Sequence, residues 1–240
     1  MNSRTPSTTG YWQQFLDGWP NGAAPKPPYR LDYPAGLPDG RVLVLPLREL
    51  PGGNRAVASL IINQASFTVV EALADHMSRL AGAAAADVIV GVPTLGLTFA
   101  PLVARRLGHQ RYVPLGYSRK FWYDDALSEP VFSITSPGGQ KRLYLDPNAV
   151  SLLELKRICL VDDAISTGSS VAAAHRLFSR LGFNVTAVVV AMKQTTRWKT
   201  SLGELNPELS DAVQAVFGCP LFEWKVDGWV PVDESLPEIP

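Results

Sequence analysis

The chain has 240 residues, of which 46% are hydrophobic and 18% charged, so it can bury a sizeable core. Its 22 basic and 22 acidic residues balance to zero net charge, which argues against an extended surface for nucleic acid or an anionic membrane. The two cysteines have no metal-ligand spacing, and no basic region with a following apolar stretch opens the chain. We therefore expect a reduced, cytoplasmic compartment.

The N-terminal part of the sequence predicts little regular structure. Residues 1–10 are rich in Ser and Thr, and residues 20–40 are rich in Pro and Gly. Aromatic residues stand between these two stretches, and residues 41–47 predict a strand. We expect residues 1–57 to form an irregular segment and hood that packs its aromatic side chains on the main body.

From residue 67 onward, helical and strand patterns alternate. Apolar residues at helical spacing predict helices at 67–80, 97–107 and 171–181. Short apolar runs predict strands at 87–92, 111–115, 141–145, 157–161 and 185–191. This alternation predicts an α/β fold with a central parallel sheet and helices on both faces. In such sheets ligands bind at the carboxyl ends of the strands.

The predicted domain organisation has three parts. Residues 58–200 form the α/β core between the N-terminal hood and a C-terminal extension, residues 201–240, which packs on the core and joins the irregular hood. Within the core, residues 117–140 are polar and aromatic and carry several Pro and Gly residues. We expect a long loop there, of the kind that is usually functional or mobile.

The most informative stretch lies at residues 157–171. The apolar run 158–161 ends in Asp162 and Asp163, and a loop of small residues then leads into a helix. Such a loop offers backbone N–H groups and the positive end of a helix dipole to a phosphate. Two carboxylates repel a phosphate, so they need sugar hydroxyls or a divalent cation as partners. The combination predicts a sugar phosphate, whereas a simple turn with a helix cap at Ser169 or Ser170 leaves the acidic pair unexplained.

This stretch closely resembles the signature of the type I phosphoribosyltransferases, and the chain is most similar to their adenine and xanthine members. The resemblance implies that Asp162 and Asp163 hold the ribose hydroxyls of phosphoribosyl pyrophosphate (PRPP), with Mg²⁺ bridged through PRPP beside them. It further implies a homodimer. The 5′-phosphate would be wrapped by Ala164, Ile165, Ser166, Thr167, Gly168, Ser169 and Ser170.

A second turn follows the predicted strand 87–92. It nearly fits a phosphate-binding Walker A loop, but Leu97 occupies the position of the essential lysine. In the phosphoribosyltransferases this place is the pyrophosphate loop, which Thr94, Leu95 and Gly96 resemble. The other interpretation is a tight strand-to-helix turn that needs Gly96 only for packing.

Arg119 and Lys120 open the predicted long loop. The adenine and xanthine phosphoribosyltransferases carry a similar basic pair at the matching place, and residues 131–136 also resemble them. The resemblance implies that both cations act in catalysis by closing over the pyrophosphate and excluding water. A solvated basic turn is the simpler alternative.

The base-reading residues follow from weaker similarity. Residues 58–64 resemble the segment that runs Leu-Asn-His-Gln in xanthine phosphoribosyltransferases, which makes Asn63 and Gln64 candidates for base contact. This chain lacks the intervening His, and a helix or turn cap at Asn63 is as good an interpretation. Lys193 matches a residue beside the base, but Met192 replaces the expected acid, which leaves the base open.

The resemblance therefore implies a Mg²⁺-dependent phosphoribosyltransferase that joins the ribose-5-phosphate of PRPP to a nitrogen base and releases pyrophosphate. A purine is the first expectation for that base. Two alternatives remain: a PRPP-sensing regulator without catalysis, and an enzyme for a non-purine base in a dedicated pathway. Residues 1–57 show neither a helix-turn-helix pattern nor a basic cluster, which disfavours the regulator.

Overall fold

The computed structural model describes residues 13–132 and 141–239. Five α-helices are present in these ranges: α1 (Phe67–Ala83), α2 (Gly96–Arg106), α3 (Ser169–Arg180), α4 (Arg197–Leu205) and α5 (Pro207–Asp211). No helix of the described residues is long and apolar enough to cross a membrane. The strands in chain order are β1 (Phe15–Leu16), β2 (Asp32–Gly36), β3 (Val42–Glu49), β4 (Arg55–Ala58), β5 (Val88–Gly91), β6 (Val113–Gly116), β7 (Ser128–Val131), β8 (Lys141–Leu145), β9 (Arg157–Ile165), β10 (Asn184–Gln194), β11 (Val213–Cys219), β12 (Leu221–Lys225) and β13 (Gly228–Pro231).

A seven-stranded sheet forms the centre of the molecule, in the order β11-β10-β9-β5-β6-β8-β7. From β11 to β6 the neighbouring strands run parallel, as predicted. The β7–β8 hairpin extends this sheet with antiparallel strands at one edge. The fold class is thus confirmed as α/β, with β7 lying within the predicted long loop.

Helices cover both faces of this sheet, and successive strand residues contribute side chains to opposite faces. Ile89 and Cys159 contribute to a core cluster on the α1 and α2 side, while their neighbours Val90 and Leu160 contribute to a second cluster on the α3 side. The central strands are apolar throughout because both of their faces are buried. Phe178 of α3 is the largest fully buried side chain that this helix supplies.

The hood is more regular than the sequence predicted. It is a six-stranded sheet in the order β1-β3-β4-β12-β13, with β2 also paired to β3, and its pairs are antiparallel. Strands from the N-terminal and C-terminal parts of the chain meet here, since β4 pairs with β12 although the α/β core separates them in sequence. Trp224 and Trp229 contact edge to face with ring centroids 5.1 Å apart. The irregular hood predicted for the N- and C-terminal segments is therefore wrong, because local hairpins form there and the pairing of β4 with β12 joins them into one sheet.

The predicted division at residues 57 and 200 stays a prediction, but the sheets cut across it. β11 lies within the predicted C-terminal extension, yet it pairs with β10 and forms an edge of the central sheet. Trp19 packs across the backbone of Gly36 in the hood, whereas Tyr11 and Trp12 lie outside the described residues.

Both cysteines of the chain are free and fully buried, Cys159 in β9 and Cys219 at the end of β11. Burial raises the pKa of the Cys159 thiol to about 12 and raises the pKa of the Cys219 thiol as well. A thiol without access to water and without a thiolate form is chemically inert.

An ion-pair cluster attaches the β7–β8 hairpin to α3. Glu129 of β7 is buried and accepts from Arg176 Nε at 3.0 Å and from Arg180 Nη1 at 2.6 Å. Arg180 also donates to the carbonyl of Ser128 at 2.8 Å. The hairpin is thereby fixed to the helix that follows the acidic pair.

Replacing Glu129 should be costly, because removal of a buried charge leaves its partners uncompensated. We expect Glu129→Ala to lower the free energy of unfolding by about 2 kcal/mol in urea denaturation. Glu223→Ala is the matched control, since the Glu223–Lys225 pair is exposed and should matter far less. Equal losses in the two variants would contradict the role given to the cluster.

Candidate functional site

The acidic pair lies inside β9 rather than after it. β9 continues to Ile165, whereas its neighbour β5 ends at Gly91, which is paired with Val161. Asp162 and Asp163 therefore lie at the carboxyl edge of the sheet, where β9 extends beyond the end of β5. Asp162 is buried and Asp163 is half-buried.

Burial dominates the electrostatics of this pair. It raises the pKa of Asp162 well above the usual carboxyl range, and the neighbouring Asp163 raises it further. Burial also raises the pKa of Asp163. The backbone N–H groups of Asp163 and Gly96 donate to the Asp162 carboxylate, the first at 2.9 Å. Two buried carboxylates side by side favour partners that donate hydrogen bonds or carry positive charge.

The turn at residues 94–96 touches this strand directly. A Cβ atom on Gly96 would lie 2.5 Å from the carbonyl oxygen of Val161 and 2.8 Å from Cα of Asp162, closer than real Cβ atoms approach. The peptide bond between Pro93 and Thr94 is cis, and α2 begins at Gly96. The packing interpretation of Gly96 is thus supported, and pyrophosphate contact by Thr94, Leu95 and Gly96 stays a prediction.

The loop after the acidic pair encloses a cavity of about 170 Å³, lined by Asp162 and residues 164–171. Gly168 adopts φ +77° and caps α3, so Ser169 and Ser170 lie within the first turn of the helix. The alternative of a serine helix cap is therefore wrong. The first helical turn and the hydroxyls of the loop meet at this cavity, and the N–H of Ser169 donates to Thr167 Oγ1 at 3.4 Å. Backbone N–H groups at the start of a helix suit an anion.

Behind the loop, α4 supports the turn. A Cβ atom on Gly168 would contact Leu202 at 3.3 Å and Trp198 at 3.4 Å. Within the loop, the Thr167 hydroxyl donates to Ser169 Oγ at 3.2 Å. These contacts set the shape of the cavity before any ligand binds.

Arg119 and Lys120 are exposed on the loop between β6 and β7. Arg119 Nε pairs with Asp125 Oδ1 of the same loop at 2.9 Å. Residues 133–136, which also resemble the family, lie outside the described residues. The carbonyl of Lys120 accepts from the N–H of Tyr123 at 3.0 Å, and contact of the basic pair with pyrophosphate stays a prediction.

Asn63 and Gln64 end a short 3-10 helix, Ile62–Gln64, and both side chains are exposed. The cap of α1 is Ser66, whose hydroxyl accepts from the N–H of Val69 at 3.3 Å. Capping of α1 therefore does not require Asn63. Base contact by Asn63 and Gln64 stays a prediction.

Two site residues escaped the sequence-based reasoning. The buried Gln13 donates to the carbonyl of Ser59 at 2.9 Å and accepts from the N–H of Ile61 at 3.2 Å. It thereby fixes the segment that leads to Asn63. Tyr117, which follows β6, is half-buried with its side chain near that of Ser170, and burial raises the pKa of its phenol. Both contacts join residues that are remote in sequence, so no local sequence pattern predicts them.

Lys193 lies apart from the small cavity around the loop. It is buried, donates to the carbonyl of Glu238 at 3.3 Å, and has its Nζ 5.4 Å from the ring centre of Trp198. Burial lowers its pKa, and Lys199 lowers it further. It lines a cavity of about 770 Å³ beside β11, so its role beside the base stays a prediction.

The family assignment rests on a match to the phosphoribosyl transferase domain at residues 57–219, more than half of the chain. The chain belongs to the phosphoribosyl transferase domain family. The match begins near the end of β4 and includes β11, which agrees with the extent of the central sheet.

Curated relatives of this phosphoribosyl transferase domain protein are named adenine phosphoribosyltransferases. The Novosphingobium aromaticivorans protein is 32% identical over 121 residues, which are 49% of this chain and 62% of that protein. The Frankia alni protein is 30% identical over 137 residues, which are 57% of this chain and 67% of that protein. The chain thus spans less than two thirds of the length of the first of these relatives.

Solved structures share the fold. The adenine phosphoribosyltransferase of Saccharomyces cerevisiae superposes with a TM-score of 0.55 at 22% identity, covering 72% of this chain and 93% of that one. The Giardia lamblia enzyme gives a TM-score of 0.55 at 17% identity, with the same coverage of 72% and 93%. This similarity confirms the phosphoribosyltransferase fold.

The close approach of Gly96 to β9 leads to a direct test. Gly96→Ala should lower the free energy of unfolding by about 2 kcal/mol, because its methyl group meets backbone atoms that cannot rotate away. Gly203→Ala in α4 is the control, since it has open space and should raise helix stability by about 0.5–1 kcal/mol. Thermal and urea unfolding measure both changes, and a neutral Gly96→Ala variant would contradict the contact.

Proposed function

We propose that this chain transfers the ribose-5-phosphate of PRPP to a purine base, with adenine as the first candidate, and releases pyrophosphate. One observation carries the proposal: the acidic pair of β9, with Asp162 buried, leads directly into a loop that forms a cavity of about 170 Å³ at the start of α3. The names of the curated relatives support adenine.

The reaction builds opposite charges on the sugar and on the leaving group. Cleavage at ribose C1 builds positive charge on the sugar while the leaving pyrophosphate gains negative charge. An enzyme accelerates such a step by holding the sugar still and stabilising the departing charge. Asp162 and Asp163 would accept from the ribose hydroxyls, and the loop 164–170 would hold the 5′-phosphate. No covalent nucleophile is required.

The leaving group would be held from two sides. Gly96 stands next to Asp162, and the turn of Thr94, Leu95 and Gly96 would contact the pyrophosphate. Arg119 and Lys120 would then close over it from the exposed loop and exclude water. The Arg119–Asp125 pair is exposed, and such pairs contribute little, so it does not prevent this movement.

The acidic pair also fits Mg²⁺. In residues 13–132 and 141–239 no group of three or more His, Cys, Asp or Glu side chains forms a complete metal cage. Mg²⁺ commonly binds through one or two carboxylates together with substrate oxygens, which is what Asp162 and Asp163 offer. When bound, Mg²⁺ supplies positive charge to the pyrophosphate group. Asp162 and Asp163 are the residues that would hold it near PRPP.

The base would lie between the hood and the carboxyl ends of the strands, within reach of Asn63 and Gln64. Lys193 is retained as a candidate, although it lines a separate cavity. The homodimer and the cytoplasmic location remain proposals that rest on family similarity. The regulator alternative gains no support from residues 13–58, which contribute strands to the hood.

The decisive experiment measures pyrophosphate release from PRPP and Mg²⁺ with adenine, guanine, hypoxanthine, xanthine, orotate and uracil in turn. Release with adenine alone would support the proposal. Release with orotate or uracil would establish a non-purine enzyme. PRPP binding in calorimetry without release for any base would favour the regulator, and absence of PRPP binding would overturn the proposal.

The acidic pair should be essential for PRPP binding. Asp162→Asn together with Asp163→Asn should weaken PRPP binding at least about a hundredfold in calorimetry, because the ribose and Mg²⁺ lose charged acceptors. The fold should persist, since the amides still accept the backbone N–H bonds. Asp227→Asn, in an exposed turn of the hood, is the control. Unchanged PRPP affinity in the double variant would overturn the site assignment.

The basic pair should act on turnover more than on binding. Arg119→Ala with Lys120→Ala should lower kcat about tenfold to a hundredfold while PRPP affinity falls only about twofold, because the loop closes after binding. Lys225→Ala, another exposed cation, should leave both values unchanged. An equal loss of turnover and affinity would argue against closure.

A further inference from the structure

A second cavity lies beside β11, apart from the acidic pair. Its volume is about 770 Å³, within the range of about 300–1,000 Å³ that is usual for small-molecule sites. None of the residues that line it also lines the cavity of about 170 Å³ at the start of α3. The two cavities are therefore separate, and a ligand in one does not need to displace a ligand from the other.

Lys193 is a buried cation in the wall of this second cavity. The residue is only 6% exposed, and its Nζ donates to the carbonyl of Glu238 at 3.3 Å. Nζ also lies 5.4 Å from the ring centre of Trp198, which is a cation–π distance. No carboxylate in residues 13–132 and 141–239 forms an ion pair with Lys193. The ammonium group is thus held by one neutral acceptor and one ring, without a counterion.

A buried charge without a counterion is costly, and folded proteins usually pair such a charge with an opposite one. The neighbouring side chains do not compensate Lys193. Burial lowers its pKa, Lys199 lowers the pKa further, and Glu238 opposes these effects only in part. Asp211 also lines the cavity, but within the described part of the chain it pairs with neither lysine. A bound anion would therefore neutralise charge that the protein leaves unpaired.

The rest of the lining favours an organic anion over an inorganic ion. Trp198 and Lys199 lie in the first turn of α4, whose positive end also favours negative charge. Ligand sites commonly combine an apolar lining with a few polar or charged groups that fix orientation. Three apolar and two neutral polar side chains also line this cavity: Leu80, Val213, Ile239, Ser210 and Gln214.

We propose that the cavity beside β11 is a second binding site, for a small organic carboxylate whose charged group binds Lys193 and Lys199 and whose apolar body packs on Leu80 and Val213. An ammonium group has three donors, and Lys193 uses one of them on the carbonyl of Glu238, so donors remain for the ligand. The inference does not depend on the proposed reaction. It assigns Lys193 to this second ligand rather than to the base.

The first experiment compares 2-naphthoate with 2-naphthamide, which has the same rings and no charge. Calorimetry or ligand-observed NMR should show 2-naphthoate binding at least about tenfold more tightly, because hydrogen bonds to an ionised group are roughly twice as strong as neutral ones. Acetate lacks the rings and should bind at least about tenfold more weakly than 2-naphthoate. Equal affinity for the two naphthalene compounds, or no binding of 2-naphthoate, would overturn the proposal.

Lys193→Met tests the buried cation, since it removes the charge and keeps a long apolar side chain. Affinity for 2-naphthoate should fall at least about tenfold, while affinity for 2-naphthamide stays within about twofold. The urea midpoint should not fall, because an unpaired buried charge is replaced by an apolar group. Lys199→Met should weaken 2-naphthoate only about threefold, because Lys199 is exposed. Lys225→Met is the control in the hood and should leave the affinity unchanged.

Competition separates this site from the one proposed for PRPP and the base. Saturating ribose 5-phosphate together with adenine should leave the affinity for 2-naphthoate within about twofold, because the two cavities share no lining residue. Displacement of 2-naphthoate by adenine would assign Lys193 to the base, and wild-type affinity in Lys193→Met would place the ligand elsewhere. Either result would overturn the second site. Absence of PRPP binding would overturn the proposed function and leave this inference standing.

Discussion

The contact between Gly96 and the backbone of β9 is the constraint on which the rest of the site depends. It brings the ends of two adjacent parallel strands, β5 and β9, together without any intervening side chain. It fixes where α2 begins, and it lets the N–H of Gly96 donate to Asp162. The same proximity removes water from Asp162, and this burial is the main reason for the raised pKa of its carboxyl group. The close packing at Gly96 and the raised pKa of Asp162 thus have the same structural cause.

The hood is attached to the core through side-chain amides that bind the backbone at the end of β4 and just after it. Gln194, the last residue of β10, donates to the carbonyl of Ala58 at 2.7 Å. Gln13 binds Ser59 and Ile61 from the N-terminal side. The short segment between β4 and α1 is therefore held both by the central sheet and by the N-terminal segment. Buried amides that satisfy backbone groups in this way fix one conformation.

The sequence predicted the parts of the structure that depend on local pattern. Helix α1 and the strand, loop and helix around Asp162 follow from apolar periodicity and from a motif that is continuous in the chain. The joining of the hood into one sheet escaped prediction because β4 and β12 pair over a long separation, as Arg55 does with Glu223. Gln13 and Tyr117 escaped for the same reason. The surroundings of Lys193 also lay beyond the sequence, because similarity at one position could not reveal that its Nζ lies 5.4 Å from the ring centre of Trp198.

The two cysteines have a practical consequence for following motion in this protein. Both native thiols are buried and stay protonated, so thiol-reactive dyes cannot reach them in the folded chain. A maleimide fluorophore then reacts with cysteines introduced on the surface and leaves the two native cysteines unlabelled. Pairs of such labels on the exposed loop and on the hood allow distances between them to be recorded during turnover, with the native cysteines left in place.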